Sequence, residues 1–227
     1  MTPSAELDIQ PPVTLEQLIG KDQDLPSLPE IYLRVSEQLE DESTTVKKIG
    51  DTVQNDPAIT TRILKMVNSA YYGMPNEVAS VSQAVSLLGR ERLKHILIGS
   101  VLRGVFSEQE NPAFSMQVFW QHSIKTAIIA RQLATQINSI QEPESMFTAG
   151  LLHDIGKLLL IKKIPDRMLA AEDYMIQKRV DVLSAELSQV GVTHTAVGEA
   201  LMDHWGLPQL LMECARNHHE VVHDGPN

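Results

Sequence analysis

The run "AGLLHDIGKLLLI", residues Ala149 to Ile161, leaves a folded chain few options. Read as part of a helix over 143–163, it is apolar nearly all round: Phe147, Ala149, Leu151, Leu152, Ile155 and Leu158 to Ile161 leave no polar face. Such a helix belongs in the core of its lobe. Within it stand His153, Asp154 and Lys157. An ionised carboxylate buried there costs several kcal/mol unless it is paired. In one continuous helix His153 and Asp154 diverge by about 100°. A metal reconciles them, since imidazole and carboxylate can converge on one ion or on two adjacent ions. Buried hydrogen bonds to the ends of other helices would serve the pair equally well.

The rest of the chain predicts helices of the same aliphatic kind. Aromatic residues are 4% of the 227, so Leu, Ile, Ala and Met must fill the core, a composition that leans helical. A short helix is expected at "TLEQLIG", with Thr14 as N-cap and Gly20 as stop. "DLPSLPEIYLRVSEQLEDE" enters a helix through Pro29, with Ile31, Val35 and Leu39 on one face. The next helix is capped near Ser43 or Thr44 and buries Val46, Ile49 and Val53. Asp56 caps a third, with Pro57 at its first position and Ile59, Ile63, Leu64 and Val67 inward. "SVSQAVSLLG" and "RERLKHILIGSVLRGVF" follow. "SEQENPAF" is a polar break near 107–114. Beyond it, helices are expected at about 115–138, 143–163, 165–179, 181–190, 194–204 and 207–219. No alternating strand pattern or fixed-period repeat is present. The expectation is an all-α fold of two packed helical lobes: a loose tail over 1–13, an N-terminal lobe over 14–110 and a second helical bundle over 111–227.

Charge and motifs narrow the function. The net charge of −10 disfavours general nucleic-acid binding, because phosphate backbones repel an acidic chain. The lone Cys214 excludes an internal disulfide and fits a reducing compartment. The start carries no signal pattern, and no stretch reaches the ~18 apolar residues of a membrane span. A cytoplasmic protein without a membrane partner is expected. "NSAYYG", with Asn68, Ser69, Tyr71 and Tyr72, is read as a helix end capped by Gly73 rather than as a recognition surface. "GRERLKH", residues 89–95, is the only locally basic surface and is read as a solvated helix face.

Histidines gather in the second half: His122 in "WQHS", His153, His194 at a helix start, His204 in "DHWGLP" and His218-His219 in "ARNHHE". A mixed imidazole and carboxylate set suits Fe, Mn, Ni or Zn better than Mg or Ca. One or two such ions can activate a water for attack on phosphorus, with Lys157 stabilising phosphate charge.

"GLLHDIGKL" resembles the signature of the HD superfamily of metal-dependent phosphohydrolases. With "LPSLPEI", "DPAITTRILKMVNSAYYG", "SVSQAVSLLG" and "HWGLP", the chain from about Leu25 to about His219 resembles the HDOD domain, the HD-related output domain of bacterial signalling proteins. The resemblance implies an all-helical fold with an N-terminal lobe beside an HD-like lobe. It also implies a regulatory role, exercised by binding a signalling protein or a small ligand such as a nucleotide or cyclic dinucleotide. The related HD-GYP phosphodiesterases imply a metal set here of His122, His153, Asp154, His194, His218 and His219, with Lys157 and Asp154 as catalytic groups if the chain is an enzyme. Three departures separate it from those enzymes. No Gly-Tyr-Pro follows "HHEVVHDGPN", a late Asp has no clear counterpart, and Val118 stands where a carboxylate would precede His122 by one turn.

Overall fold

A computed structural model describes residues 11–20, 25–69, 72–106, 114–137 and 143–220. Among the described residues every regular element is a helix, as expected. Contacts divide them into two compact units that interleave along the sequence. One holds residues 26–69, 72–106, 116–137 and 143–152; the other holds 11–20, 25, 114–115 and 153–220.

In the second unit, α1 (Leu15–Ile19) opens with a capping box: Thr14 Oγ1 accepts from Gln17 N at 3.2 Å, and the Gln17 side chain accepts from Thr14 N at 2.9 Å. Residues 1–10 of the expected tail lie outside the described residues, but 11–13 are pinned. Val13 N donates to Val190 O at 2.8 Å and Arg167 Nη1 donates to Pro11 O at 2.9 Å.

The other unit begins with α2 (Glu30–Glu40), α3 (Val46–Gln54) and α4 (Pro57–Val67). Of their expected stripes, Val35, Leu39, Ile49, Val53, Ile59, Ile63 and Val67 are buried, with Tyr32 joining them, whereas Ile31, Val46 and Leu64 are half-buried at the edges. The cap of α3 is Thr45, one residue beyond the expected Thr44, which is buried instead. Asp56 caps α4, its Oδ1 accepting from Ala58 N and Ile59 N at 2.9 Å. The end of α4 differs from expectation. Its C-cap is Asn68, whose side chain accepts from Val78 N at 2.7 Å and donates to Val78 O at 2.9 Å. Gly73 does take a left-handed φ of 56°, but in the loop that Asn68 closes rather than at the cap. α5 (Val81–Leu88) and α6 (Arg90–Val105) follow. The basic stretch 89–95 is tied down internally rather than left as a solvated face. Arg90 donates to carbonyls of Gln38, Leu39, Asp41 and Thr44, Arg92 pairs with Glu144 at 3.0 Å, and Lys94 pairs with Glu40.

α7 (Met116–Gln136) and α8 (Pro143–Leu152) complete this unit. They cross closely because Gly150 has no side chain: a Cβ there would lie 2.8 Å from Ala127 Cα.

The remaining helices belong to the second unit: α9 (Ile155–Lys163), α10 (Pro165–Lys178), α11 (Val182–Gln189), α12 (His194–His204) and α13 (Gln209–Asn217). α9 packs on α10 and on α12, and α12 packs on α13. Ile155, Leu158, Leu159 and Leu160 are fully buried, so α9 is the apolar core helix that the sequence demands. The helix expected over 143–163 is nevertheless two helices, interrupted at His153-Asp154.

Candidate metal centre

The interruption is what makes the site possible. Asp154 sits at the N-cap position of α9 with φ −97° and ψ 8°, in the sparsely used bridge region. It does not cap the helix with its side chain. The carboxylate turns instead into a cluster: Oδ2 accepts from Lys157 Nζ at 2.9 Å, and His153 Nε2 lies 3.4 Å from the same oxygen. Oδ1 lies 3.3 Å from both His194 Nε2 and His218 Nε2. Burial alone would push this carboxyl up. Hydrogen bonds from His153, His194 and His218, with the Lys157 charge, outweigh burial and hold it well below its ordinary value.

α12 delivers His194 because Thr193 starts that helix immediately before it, its Oγ1 accepting from Ala196 N at 3.2 Å. The ring reaches Asp154 because α9 and α12 meet backbone to backbone. A Cβ on Gly156 would fall 2.1 Å from His194 O and 2.6 Å from Gly198 N. His194 is fully buried and doubly anchored. Its backbone N donates to Glu186 Oε2 at 2.8 Å, and its Nδ1 lies 2.8 Å from both Glu186 oxygens. Burial pulls its pKa down, but Asp154 and Glu186 more than compensate and raise it.

His218 and His219 follow α13 rather than close it. His218 Nδ1 donates to Ala215 O at 2.8 Å. His218 Nε2 and His219 Nε2 each lie 3.2 Å from His194 Nε2. His219 is held down to about 4, chiefly by desolvation and then by its histidine neighbours.

Tautomers decide what this geometry means. A carboxylate can only accept, so His194 carries a ring proton on Nδ1 and in its neutral form offers a lone pair at Nε2. A backbone carbonyl can only accept, so the same holds for His218. In the neutral rings the two Nε2 atoms point lone pairs at each other across 3.2 Å, with a carboxylate oxygen at 3.3 Å from both; a ring proton at either Nε2 instead makes the hydrogen bond that lowers the pKa of Asp154. A proton on His219 Nε2 can be donated to His194, but it leaves the His194–His218 and His218–Asp154 pairs facing. Neutral imidazoles and a carboxylate converging in this way are a cation's ligand set, for which a metal competes with ring protons. Donors at ~2.0–2.2 Å from one ion lie about 3 Å apart, which fits these separations. Donor atoms of Asp154, His194, His218 and His219 all fall within 4.8 Å of one another. The residues present thus form a His/Asp cluster suited to a metal ion.

His153 is buried, with its ring edge-on to His218 at 4.9 Å between centroids. Lys157 is the ion-pair partner of Asp154. His122 stands on α7, which belongs to the other unit. Glu186 was not expected. Val182, Ala185, Glu186 and Val190 share the i, i+3, i+4, i+8 spacing of one helical face. A glutamate on that face, eight residues before a helix-starting histidine, is the signal that could have found it.

An all-α domain whose helix break aims a His-Asp pair at three more histidines is a domain of the HD type. The chain belongs to the HDOD domain family, whose model matches residues 25–221. An HDOD domain protein of unknown function from Geobacter sulfurreducens is similar at 25% identity and TM-score 0.76, over 89% of this chain and 67% of that one. A protein from Shewanella amazonensis SB2B, described as a candidate phosphohydrolase, is similar at 27% identity and TM-score 0.75, over 89% and 71%. An uncharacterized protein of Treponema pallidum (strain Nichols) is 27% identical over 206 residues. That match covers 88% of this chain and 38% of the relative, so the chain spans well under half of that protein's length.

Proposed function

We propose that this chain is a signal-transduction output domain that binds a divalent transition metal at Asp154, His194, His218 and His219 and acts by engaging a partner rather than by turnover. The observation that carries the metal is the convergence of two imidazole Nε2 atoms, 3.2 Å apart and each ring anchored through its Nδ1, on one Asp154 oxygen at 3.3 Å. Three imidazoles and one carboxylate favour Fe, Mn, Ni or Zn. Glu186 orients His194 and fixes its lone pair, and Ala215 O does the same for His218. Lys157 neutralises Asp154 Oδ2, the oxygen on the His153 side, while Oδ1 faces His194 and His218. The partner is a signalling protein or a nucleotide-like small ligand, as the family membership suggests, and the setting is the cytoplasm. Among the described residues, no helix is long and apolar enough to cross a membrane.

A second reading is a metal-dependent phosphohydrolase acting on a nucleotide, cyclic dinucleotide or phosphate ester. It is favoured by His153, whose Nε2 sits 3.4 Å from Asp154 Oδ2 and offers a donor for a second ion. The description of the Shewanella protein points the same way. A bound metal would supply Lewis acidity and an activated water. Against it, Lys157 is already paired with Asp154. The discriminating experiment assays metal-loaded protein with cyclic dinucleotides, guanosine tetraphosphate and simple phosphate esters. The output-domain reading predicts no turnover above buffer. Turnover abolished by Asp154→Asn in a folded protein would establish the hydrolase.

A further inference from the structure

Behind the metal cluster, within the same unit, lies a cavity of about 220 Å³ between α9, α10 and α11. Phe114, Ile161, Met168, Leu169, Met175 and Val182 make its walls apolar. Its polar lining is Lys157, Glu186 and the exposed Glu172; Lys157 and Glu186 are the residues that hold Asp154 and His194. Both Glu186 oxygens are engaged by His194. Lys157 is not saturated: an ammonium has three donors, and among the described residues it hydrogen-bonds Asp154 alone. A cavity with this composition rejects a highly charged molecule such as a nucleotide, which would bring several phosphates against apolar walls. It accepts an apolar body with one acceptor group. Dry apolar cavities of ~150 Å³ hold benzene, so this one takes about nine non-hydrogen atoms. The two methionines add walls that adjust to shape.

We propose that this cavity is a ligand site, distinct from the metal centre, for a small apolar molecule bearing one hydrogen-bond acceptor such as a carboxylate. We further propose that its occupancy is felt by the metal through Lys157 and Glu186. The pocket itself does not depend on the metal reading; the linkage does. A ligand that draws Lys157 toward its acceptor alters the charge partner of Asp154, and one that presses on Glu186 shifts the anchor of His194.

The test uses benzoate and indole, which have equal numbers of non-hydrogen atoms but differ in that only benzoate brings a carboxylate. Methionine-methyl NMR of chelator-treated protein reads the pocket directly. Saturable shifts of the Met168 and Met175 methyls are expected with benzoate, at several-fold lower concentration than with indole. Lys157→Met should abolish that preference while retaining indole binding. Ala171→Leu, which fills the cavity from its buried wall, should abolish both; Ala185→Val is the milder substitute if that variant is misfolded. Metal affinity measured by chelator competition should then change by about threefold or more when benzoate is saturating. Absence of saturable shifts with either probe, or shifts that persist in the filled variants, overturns the site. Saturable binding that leaves the affinity of a metal-binding protein unchanged overturns the linkage. If the protein binds no metal at all, the NMR result still stands alone, so the two readings fail separately.

Discussion

Two polar constellations sit inside this chain, one in each unit, and they are opposites. Around Arg90, a cation meets acceptors: its guanidinium donates to Gln38 O at 2.9 Å, Asp41 O at 3.0 Å and Leu39 O at 3.4 Å, and also to Thr44 O. Those carbonyls lie at and just beyond the C-terminal end of α2, where the helix leaves acceptors unsatisfied. Donors and acceptors match, and the constellation is finished by the protein alone. Around Asp154, groups that can all act as ligands meet: two imidazole Nε2 atoms and a carboxylate oxygen stand 3.2–3.3 Å apart, with only ring protons to join them. A buried polar group left without its complement costs about as much as a lost hydrogen bond or more. The first arrangement is explained by folding. The second is the arrangement that the proposed metal would complete.

The contrast can be broken at four places. Gly156→Ala should have the largest effect, because the new methyl meets His194 O and Gly198 N, both backbone atoms that cannot swing aside. A loss of about 3 kcal/mol or more is expected, with metal binding lost as α12 is pushed from α9. Thermal unfolding and metal content should fall together; an unperturbed protein would refute the close approach. Arg90→Ala should cost about 2–3 kcal/mol in urea unfolding, yet the folded variant should retain its metal. Loss of metal without loss of stability would erase the distinction between the two constellations. Glu186→Gln should do the reverse, lowering metal affinity roughly 10-fold or more through a misdirected His194, with a smaller loss in urea unfolding of the chelator-treated protein than Arg90→Ala causes.

The smallest effect is at Asp41. Hydrogen bonds from the Ser43 hydroxyl, the Thr44 hydroxyl and Ser43 N hold its carboxyl down to about 2. A folded value below the unfolded one means the contribution is fully present above about 4 and lost as the pH falls through about 2. Asp41→Asn should therefore flatten the acid limb of the stability curve slightly and leave neutral-pH metal content unchanged. An exposed carboxylate makes this a modest effect.

Much of this was legible in the sequence, for reasons tied to particular residues. Asp56-Pro57 and Thr14 announced helix starts because capping chemistry is local. The apolar run after Asp154 announced a core helix because burial follows from composition. The break at His153-Asp154 was not legible, because neither glycine nor proline marks it; the carboxylate's partners come from α9, α12 and the segment after α13. Glu186 escaped for the same reason, as its role exists only once α11 lies beside His194. Arg90 read as part of a solvated face because its acceptors lie some fifty residues away in sequence. Local signals carried the helices; the site depended on long-range convergence.

The central claim is that the Asp154–His194–His218–His219 cluster is a metal centre. Elemental analysis of protein purified without chelator, alongside His218→Ala, tests it most directly. The account predicts about one transition-metal ion per chain in the parent protein, removed by chelation with a fall in Tm, and little or none in the variant. A parent protein that stays folded with well under one ion per chain, even after incubation with Fe, Mn, Ni and Zn, would contradict it.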